Sequence, residues 1–237
     1  MNITSIKASK LVMKIGISKK LFFKLLLCTA LTQASFSLVN ARPISYPDSW
    51  TFMQKHNWEK TTVHVHYSPN AKNSTGYLGS YYQKENQRLH ALQWNHLVFR
   101  NNEKKSQSNL YSKIHLGRLE EAISETNVFH GAFTLSYDWE TRKHFFLYAA
   151  GIEYTDQSNV ENTAFHHVAR VGIAPYVAPY GKIHTWLMLQ FEHHPDDLDS
   201  DNHFIITPMV RFFKGDYLCE IGLNSNNQLL FNSIIRF

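Results

Sequence analysis

Hydrophobic and polar residues alternate with a period of two along most of this chain. The clearest case is residues 128–139, where Phe129 and Phe133 share one face and Ser136 and Asp138 share the other. Because successive side chains of an extended chain point to opposite faces, this alternation predicts β-strands. No window downstream of the N-terminal segment shows the apolar stripe of an amphipathic helix.

Twelve segments carry this pattern, and most of them are 9–13 residues long. They are residues 49–54, 61–68, 74–82, 88–100, 108–119, 128–139, 144–154, 165–176, 183–192, 204–214, 216–224 and 228–237. Strands of soluble proteins average about 5–6 residues, whereas a tilted membrane strand takes about 9–11. Closure also removes the edges of a long aromatic sheet. The predicted fold is all-β: an antiparallel transmembrane β-barrel of 10–12 strands, with 12 favoured, formed by residues 42–237 as one domain.

The predicted connections alternate in length, as the short periplasmic turns and longer outer loops of outer-membrane barrels do. The tight ones are residue 215 and residues 140–143 and 178–181; the long ones are residues 120–126, 155–162 and 194–202. Two connections depart from this order. Residues 225–227 are short for an outer loop and residues 101–107 are long for a periplasmic turn, which leaves both 10 and 12 strands open.

The first 41 residues predict an export signal that is removed. Six lysines up to Lys24 form a positive region that precedes an apolar stretch at residues 25–31. This stretch is too short for a membrane helix of about 20 residues but suits a signal peptide. Cleavage after Ala34 or after Ala41 fits the small-residue rule, and the rigid segment that begins at Arg42 favours Ala41.

Removal of this segment changes the net charge of the protein. The whole chain is formally +5, but residues 42–237 hold 18 basic and 19 acidic residues, a net charge of −1. A nearly neutral domain does not favour nucleic-acid binding, which takes a basic face. Only Cys219 remains after cleavage, so an intramolecular disulfide, a cysteine zinc cluster and a thiol redox pair are all excluded.

The last segment carries the most specific pattern. Phe237 is preceded on the same face by Ile235, Ser233, Phe231 and Leu229. A terminal aromatic residue behind alternating apolar residues resembles the assembly signature of bacterial outer-membrane β-barrel proteins. The resemblance implies a monomeric protein of the outer membrane, with outer-membrane lipid and the barrel-assembly machinery as its partners. The alternative is a soluble sandwich whose last strand ends in Phe.

With the aromatic faces toward lipid, the opposite faces line a lumen. Its charged and histidine residues are His64, His66, Lys113, His115, His130, Asp138, Arg170, His184, Glu192, Arg211, Glu220 and Arg236. Both signs of charge occur, so the simplest interpretation is an ion-pair network that fills a narrow barrel. A narrow path for solutes is the alternative.

The 14 histidines also suggest a metal site. His64 and His66 lie two apart on one strand face, so both imidazoles can reach one ion such as Cu or Zn. A second candidate lies in the acidic loop before residue 204. Its potential ligands are His193, His194, Asp196, Asp197 and His203. The spacing matches no calcium motif, and a solvated acidic loop is the alternative. No cofactor is required.

Two short segments resemble known families. Residues 66–71, His-Tyr-Ser-Pro-Asn-Ala, are similar to the His-x-Ser-Asn-Ala stretch of outer-membrane lipid A deacylases, which implies His66 as a base and Ser68 as a nucleophile. Pro69 interrupts this motif, and in that family the motif lies on a late strand. The segments PISYPxxW and HVHYSP, within residues 43–82, resemble an uncharacterised Gram-negative envelope family without an assigned activity.

The predicted function is therefore non-enzymatic: an outer-membrane barrel that handles or passes metal cations or small solutes. No catalytic and no cofactor-binding residue is assigned. Two alternatives stay open. One is a structural barrel with a plugged lumen, and the other is a lipid A-modifying, deacylase-like enzyme with Ser68 as its nucleophile.

Overall fold

The structure is a computed structural model that describes residues 46–121, 127–157, 160–179, 181–195 and 204–237. The predicted signal peptide, residues 1–41, lies outside the described residues. The strands are β1 (Ser49–His56), β2 (Lys60–Asn70), β3 (Asn73–Tyr82), β4 (Gln87–Asn102), β5 (Ser106–Glu121), β6 (Asn127–Thr141), β7 (His144–Gln157), β8 (Val160–Ile173), β9 (His184–His193), β10 (Phe204–Lys214), β11 (Tyr217–Leu223) and β12 (Leu229–Arg236). Within the described ranges, no helix is long and apolar enough to cross a membrane.

These 12 strands form one closed antiparallel barrel in which chain neighbours pair with each other. The first and last strands close it, with Thr51 opposite Arg236 and His56 opposite Phe231. Beside them, Trp50 and Phe237 exchange backbone hydrogen bonds of 2.8 and 3.0 Å. Closure pairs the backbone polar groups without leaving an edge, which a strand in lipid requires. The predicted antiparallel barrel is confirmed, and its strand number is the favoured 12.

The side chains separate an outer face of large apolar side chains from an inner face that holds the charged and histidine side chains together with buried apolar clusters such as Phe145, Trp186 and Met188. On β6, the outward Phe133 and Tyr137 are 44% and 38% exposed, whereas the inward His130 and Asp138 are 2% and 8% exposed. Large exposed apolar side chains continue around the ring, from Trp50 on β1 to Leu229 on β12. A soluble protein has the reverse arrangement. The outer face suits lipid acyl chains, and the architecture is that of a transmembrane β-barrel.

The barrel has a terminus end, where β1 begins and β12 ends, and a loop end, where β1 leads into β2. The predicted long loop at residues 155–162, on the loop end, is wrong. Strand β7 continues to Gln157 and β8 begins at Val160, with Asp156 paired to Glu161. The side chains at these positions are mostly polar, so the alternation of apolar residues did not indicate a strand here. Backbone pairing does not need apolar side chains, and the strands continue.

Two connections at the terminus end also differ from the prediction. The predicted tight turn at residues 178–181 is part of a longer connection from Ile173 to His184. Pro175 and Pro179 lie in it, and proline cannot donate to a strand ladder. Residues 101–107 are mostly strand, since β4 ends at Asn102 and β5 begins at Ser106. The length of residues 101–107 therefore no longer argues against 12 strands.

Candidate functional site

Every charged or histidine residue predicted to face the lumen lies on the inner face of its strand. Sequence reasoning missed further inward groups, among them Lys60, Glu153 and His166. The alternation could have found two of them. Glu153 lies two residues after the inward Gly151 and so shares its face, and His166 directly follows the outward Phe165 and so points inward. Lys60 was missed because it stands one residue before the predicted start of its strand.

A buried carboxylate with two guanidinium partners lies in the wall formed by β8, β10, β11 and β12. Glu220 Oε1 accepts from Arg170 Nη1 at 3.0 Å and from Arg211 Nε at 2.6 Å. The other oxygen, Oε2, accepts from Asn232 Nδ2 at 2.8 Å. Strand register places Arg211 and Asn232 directly beside Glu220. The Glu220 side chain is only 1% exposed, so this Arg–Glu–Arg group is shielded from water.

Hydrogen bonds extend this group toward the loop end. Arg170 Nε donates to Gln190 Oε1 at 2.9 Å, and Gln190 Nε2 donates to Glu192 Oε1 at 2.6 Å. Glu192 Oε2 in turn accepts from Trp58 Nε1 at 3.2 Å. Trp58 belongs to the β1–β2 connection, and β1 and β9 are separated by three strands in the ring. The indole therefore reaches across part of the lumen at the loop end.

A second contact crosses the lumen near the same end. Lys60 Nζ lies 3.4 Å from Glu153 Oε1 and 3.1 Å from Glu59 Oε1. His166 Nδ1 lies 4.0 Å from the same Glu153 oxygen. Strands β2 and β7 are five places apart in the ring of 12, so the Lys60–Glu153 pair joins nearly opposite walls. Gly151 leaves the space that the His166 ring occupies, because a Cβ there would collide with the imidazole.

Lumen histidines form two close pairs. His64 Nδ1 and His66 Nδ1 are 3.3 Å apart, and His115 Nε2 and His130 Nε2 are 3.2 Å apart. The His64 imidazole also lies close enough to Lys113 and His115 for their charges to act on it. The structure thus brings together the sequence-predicted pair, and it adds a second pair from two neighbouring strands, β5 and β6.

The predicted metal-binding loop is not supported as a joint site. His193 points outward and its ring lies 6.0 Å from that of His167 and 5.9 Å from that of Phe204. His194 points inward, with its ring edge-on to Trp58 at 5.5 Å. Adjacent residues of an extended chain face opposite ways, so His193 and His194 do not lie on the same face. The other predicted ligands, Asp196, Asp197 and His203, lie outside the described residues.

Within the described part of the chain, no group of three or more His, Cys, Asp or Glu residues is arranged to hold a metal ion.

The segment that resembles the lipid A deacylase motif lacks the hydrogen bond between base and nucleophile. His66 and Ser68 share the inner face and are both 0% exposed. However, Ser68 Oγ has no hydrogen-bond partner among the described residues, so the base and the nucleophile are not hydrogen-bonded to each other. A nucleophilic serine takes a hydrogen-bonded base.

An open cavity of about 740 Å³, the vestibule, lies at the terminus end. It is bounded by the β4–β5, β6–β7, β8–β9 and β10–β11 connections, and its inner surface includes Trp186, Phe213 and Arg211. The Arg211 guanidinium lies 4.6 Å from the centre of the Phe145 ring. Through Arg211 and its ion pair with Glu220, the vestibule borders the Arg–Glu–Arg group in the barrel wall.

No protein-family model matches the chain, and no curated protein matches it. Several solved structures have a similar arrangement of strands. The KdgM porin is 7% identical, with a TM-score of 0.42 over 80% of this chain and 98% of that chain. The translocator domain of the autotransporter NalP from Neisseria meningitidis is 8% identical, with a TM-score of 0.48 over 90% and 91%. The outer membrane protein OprD from Pseudomonas aeruginosa is 10% identical, with a TM-score of 0.38 over 75% and 58%.

Proposed function

We propose that this barrel is a narrow pore for small polar solutes. The observation that carries the proposal is the vestibule, an open cavity of about 740 Å³ whose lining includes Arg211 and His184 of the inner face. Charged side chains on the lumen wall, such as those of this barrel between its apolar clusters, are typical of barrels that hold a water-filled channel. A barrel of 12 strands lies between the side-chain-filled barrels of about eight strands and the wide porins of about 16–18.

The contacts that cross the lumen favour a narrow pore over a solid plug. Lys60, Glu153 and His166 each keep 22% of their side-chain surface exposed, although Lys60 and Glu153 come from distant strands. A plug would bury these groups as fully as Glu220 is buried. Side chains that retain contact with water can change rotamer on a short timescale, whereas a packed interior cannot.

Conductance in a planar lipid bilayer tests this function directly. The refolded full chain is expected to give discrete conductance steps, because a closed barrel with a wet lumen provides one path of fixed size. Heat-denatured protein in the same detergent is the matched control and should give none. A bilayer that stays silent with correctly folded, heat-modifiable protein would favour the alternative, a structural barrel with a plugged lumen.

A second candidate function, metal-cation handling, is favoured by the histidine pairs. Zn–N bonds of about 2.0–2.1 Å place two ligands of a tetrahedral ion about 3.3–3.4 Å apart. The observed separations of 3.3 Å for His64–His66 and 3.2 Å for His115–His130 fit that value. The nearby Lys113 ammonium opposes a cation here, so this candidate stands second.

Removing the His64–His66 pair tests the metal site. The double variant His64→Ala/His66→Ala is expected to weaken Zn(II) or Cu(II) binding to the refolded barrel by about tenfold or more, because both inward ligands are lost. Equilibrium dialysis measures the affinity. The matched control is His167→Ala, since His167 points to the outer face beside Tyr148. Equal affinity in the wild type and the double variant would remove this pair from consideration.

A further inference from the structure

The vestibule is strongly cationic. Six of the side chains that line it carry positive charge, and Glu140 is the single carboxylate among them. The cations are Lys104, Lys105, Arg142, Lys143, Lys182 and Arg211. The net charge of residues 42–237 is −1, so this local excess does not follow from composition. A concave surface lined by one sign of charge concentrates ions of the opposite sign.

The cations come from separate connections that converge on one cavity. Lys104 and Lys105 lie between β4 and β5, Lys143 lies between β6 and β7, and Lys182 lies between β8 and β9. All four are exposed, and within the described residues none of them has a carboxylate at ion-pair distance. Their charges are therefore available to a ligand rather than neutralised by the protein.

Positive charge continues from the vestibule into the lumen. Arg211 faces the vestibule and shares Glu220 with Arg170. Lys113 lies within electrostatic reach of Lys55 and Arg170, and also of the Asp138 carboxylate, which offsets part of their charge. In the described part of the chain, neither lysine has a carboxylate within ion-pair distance. The four side chains form a cationic line from the mouth of the barrel toward its middle.

Aromatic and apolar side chains complete the cavity. Trp186 and Phe213 face it, and Val177, Pro179 and Leu218 contribute to its walls. Apolar walls lower the local dielectric constant, so that each lysine attracts an anion more strongly than it would in open water. A cavity with a few charged groups on an apolar surface is the usual form of a small-molecule site.

We propose that the vestibule is a binding site for small anions that carry carboxylate or phosphate groups, and that the cationic line makes the pore anion-selective. This proposal adds a class of ligand to the proposed pore. The anion selectivity rests on the proposed function, whereas the binding site does not. Binding in the vestibule takes place whether or not the loop end of the lumen opens.

Equilibrium dialysis of the refolded full chain in a non-ionic detergent, with radiolabelled inorganic phosphate at low ionic strength, tests the binding step. The wild type is expected to bind phosphate, with an affinity that falls as salt is added. Lys143→Gln/Lys182→Gln removes two cations from neighbouring connections and is expected to weaken binding about tenfold, which is about 1.4 kcal/mol. The matched control Lys72→Gln removes an exposed lysine at the same end that does not line the vestibule, and it should bind like the wild type. Absent binding, or equal binding in all three proteins, overturns the site.

A lipid headgroup has the same phosphate chemistry, and a second arm separates the two sources. Phosphatidylglycerol added to the micelles should leave phosphate binding unchanged, because the site lies inside the mouth of the barrel. Displacement of phosphate by this lipid, lost in Lys143→Gln/Lys182→Gln, would assign the site to lipid and overturn the solute proposal.

Reversal potentials in a salt gradient test anion selectivity separately. The wild-type pore is expected to prefer chloride over potassium, and Lys113→Glu should shift the reversal potential toward cation preference. A conducting pore that prefers potassium would refute the selectivity and leave the pore itself intact. A silent bilayer together with phosphate binding would refute the pore and leave the binding site intact.

Discussion

Replacing Glu220 by leucine is expected to destabilise the barrel by about 3–5 kcal/mol. The carboxylate is 1% exposed and holds both Arg170 and Arg211, at 3.0 and 2.6 Å. Removing it leaves two guanidinium groups beside each other without a counter-charge. The attraction that an ion pair supplies in such a shielded place disappears, while the cost of keeping the arginines away from water stays.

Urea unfolding in detergent, followed by the change in gel mobility between folded and heated protein, measures this loss. The matched control is Glu120→Leu, because Glu120 is 49% exposed and lies 4.0 Å from His90 on the outer face. An exposed pair of this kind contributes about 1 kcal/mol or less. A loss below that level in Glu220→Leu would show that water or Asn232 replaces the carboxylate.

A triple variant separates charge from packing. Arg170→Met/Arg211→Met/Glu220→Leu removes all three charges and keeps similar side-chain volumes. Buried ionic groups replaced as a whole by apolar residues often lose no stability, whereas a broken pair loses much. The triple variant is therefore expected to be more stable than Glu220→Leu alone. The opposite order would mean that the group stabilises the barrel by more than charge balance.

Shortening the side chains that cross the lumen at the loop end is expected to increase single-channel conductance. Trp58 reaches Glu192 at 3.2 Å, and Lys60 reaches Glu153 at 3.4 Å, from the same short segment of the chain. The double variant Trp58→Ala/Lys60→Ala removes both contacts. Because these groups narrow the lumen between nearly opposite walls, the open cross-section available to ions becomes larger.

Planar bilayer recording compares this variant with Glu85→Ala, in which an exposed carboxylate at the loop end is removed without touching a crossing contact. The control should conduct like the wild type. Unchanged conductance in Trp58→Ala/Lys60→Ala, with normal heat-modifiable mobility, would locate the narrowest part of the pore elsewhere. The Arg–Glu–Arg group would then be the next part of the lumen to examine.

Some candidate residues were readable from the sequence because they depend on local geometry alone. His64 and His66 share a face because every second residue of a strand points to the same side. The same rule shows that His166 and His167 face opposite ways, and the structure confirms it, with His166 beside Glu153 and His167 beside Tyr148. By the same rule His193 and His194 face opposite ways, with His193 beside His167 and His194 beside Trp58, and the metal site predicted in their loop stays a prediction.

The vestibule could not be predicted in this way. Its cations lie in connections that are separated along the chain, and the alternation of a strand says nothing about where a turn projects. The resemblance of residues 43–82 to an envelope family and the predicted role of Phe237 in assembly both stay predictions, since no family model matches the chain.

The sequence by itself determined the strands and the face that each residue takes, because both follow from the period of an extended backbone and from the need to hide apolar groups in lipid. Only the tertiary structure decided which inward groups meet. Trp58 and Glu192 are 134 residues apart, and Arg170 and Glu220 are 50 residues apart. Their contacts exist because the closed ring of 12 strands sets the width of the lumen and the offset between strands, and those two quantities belong to the barrel as a whole.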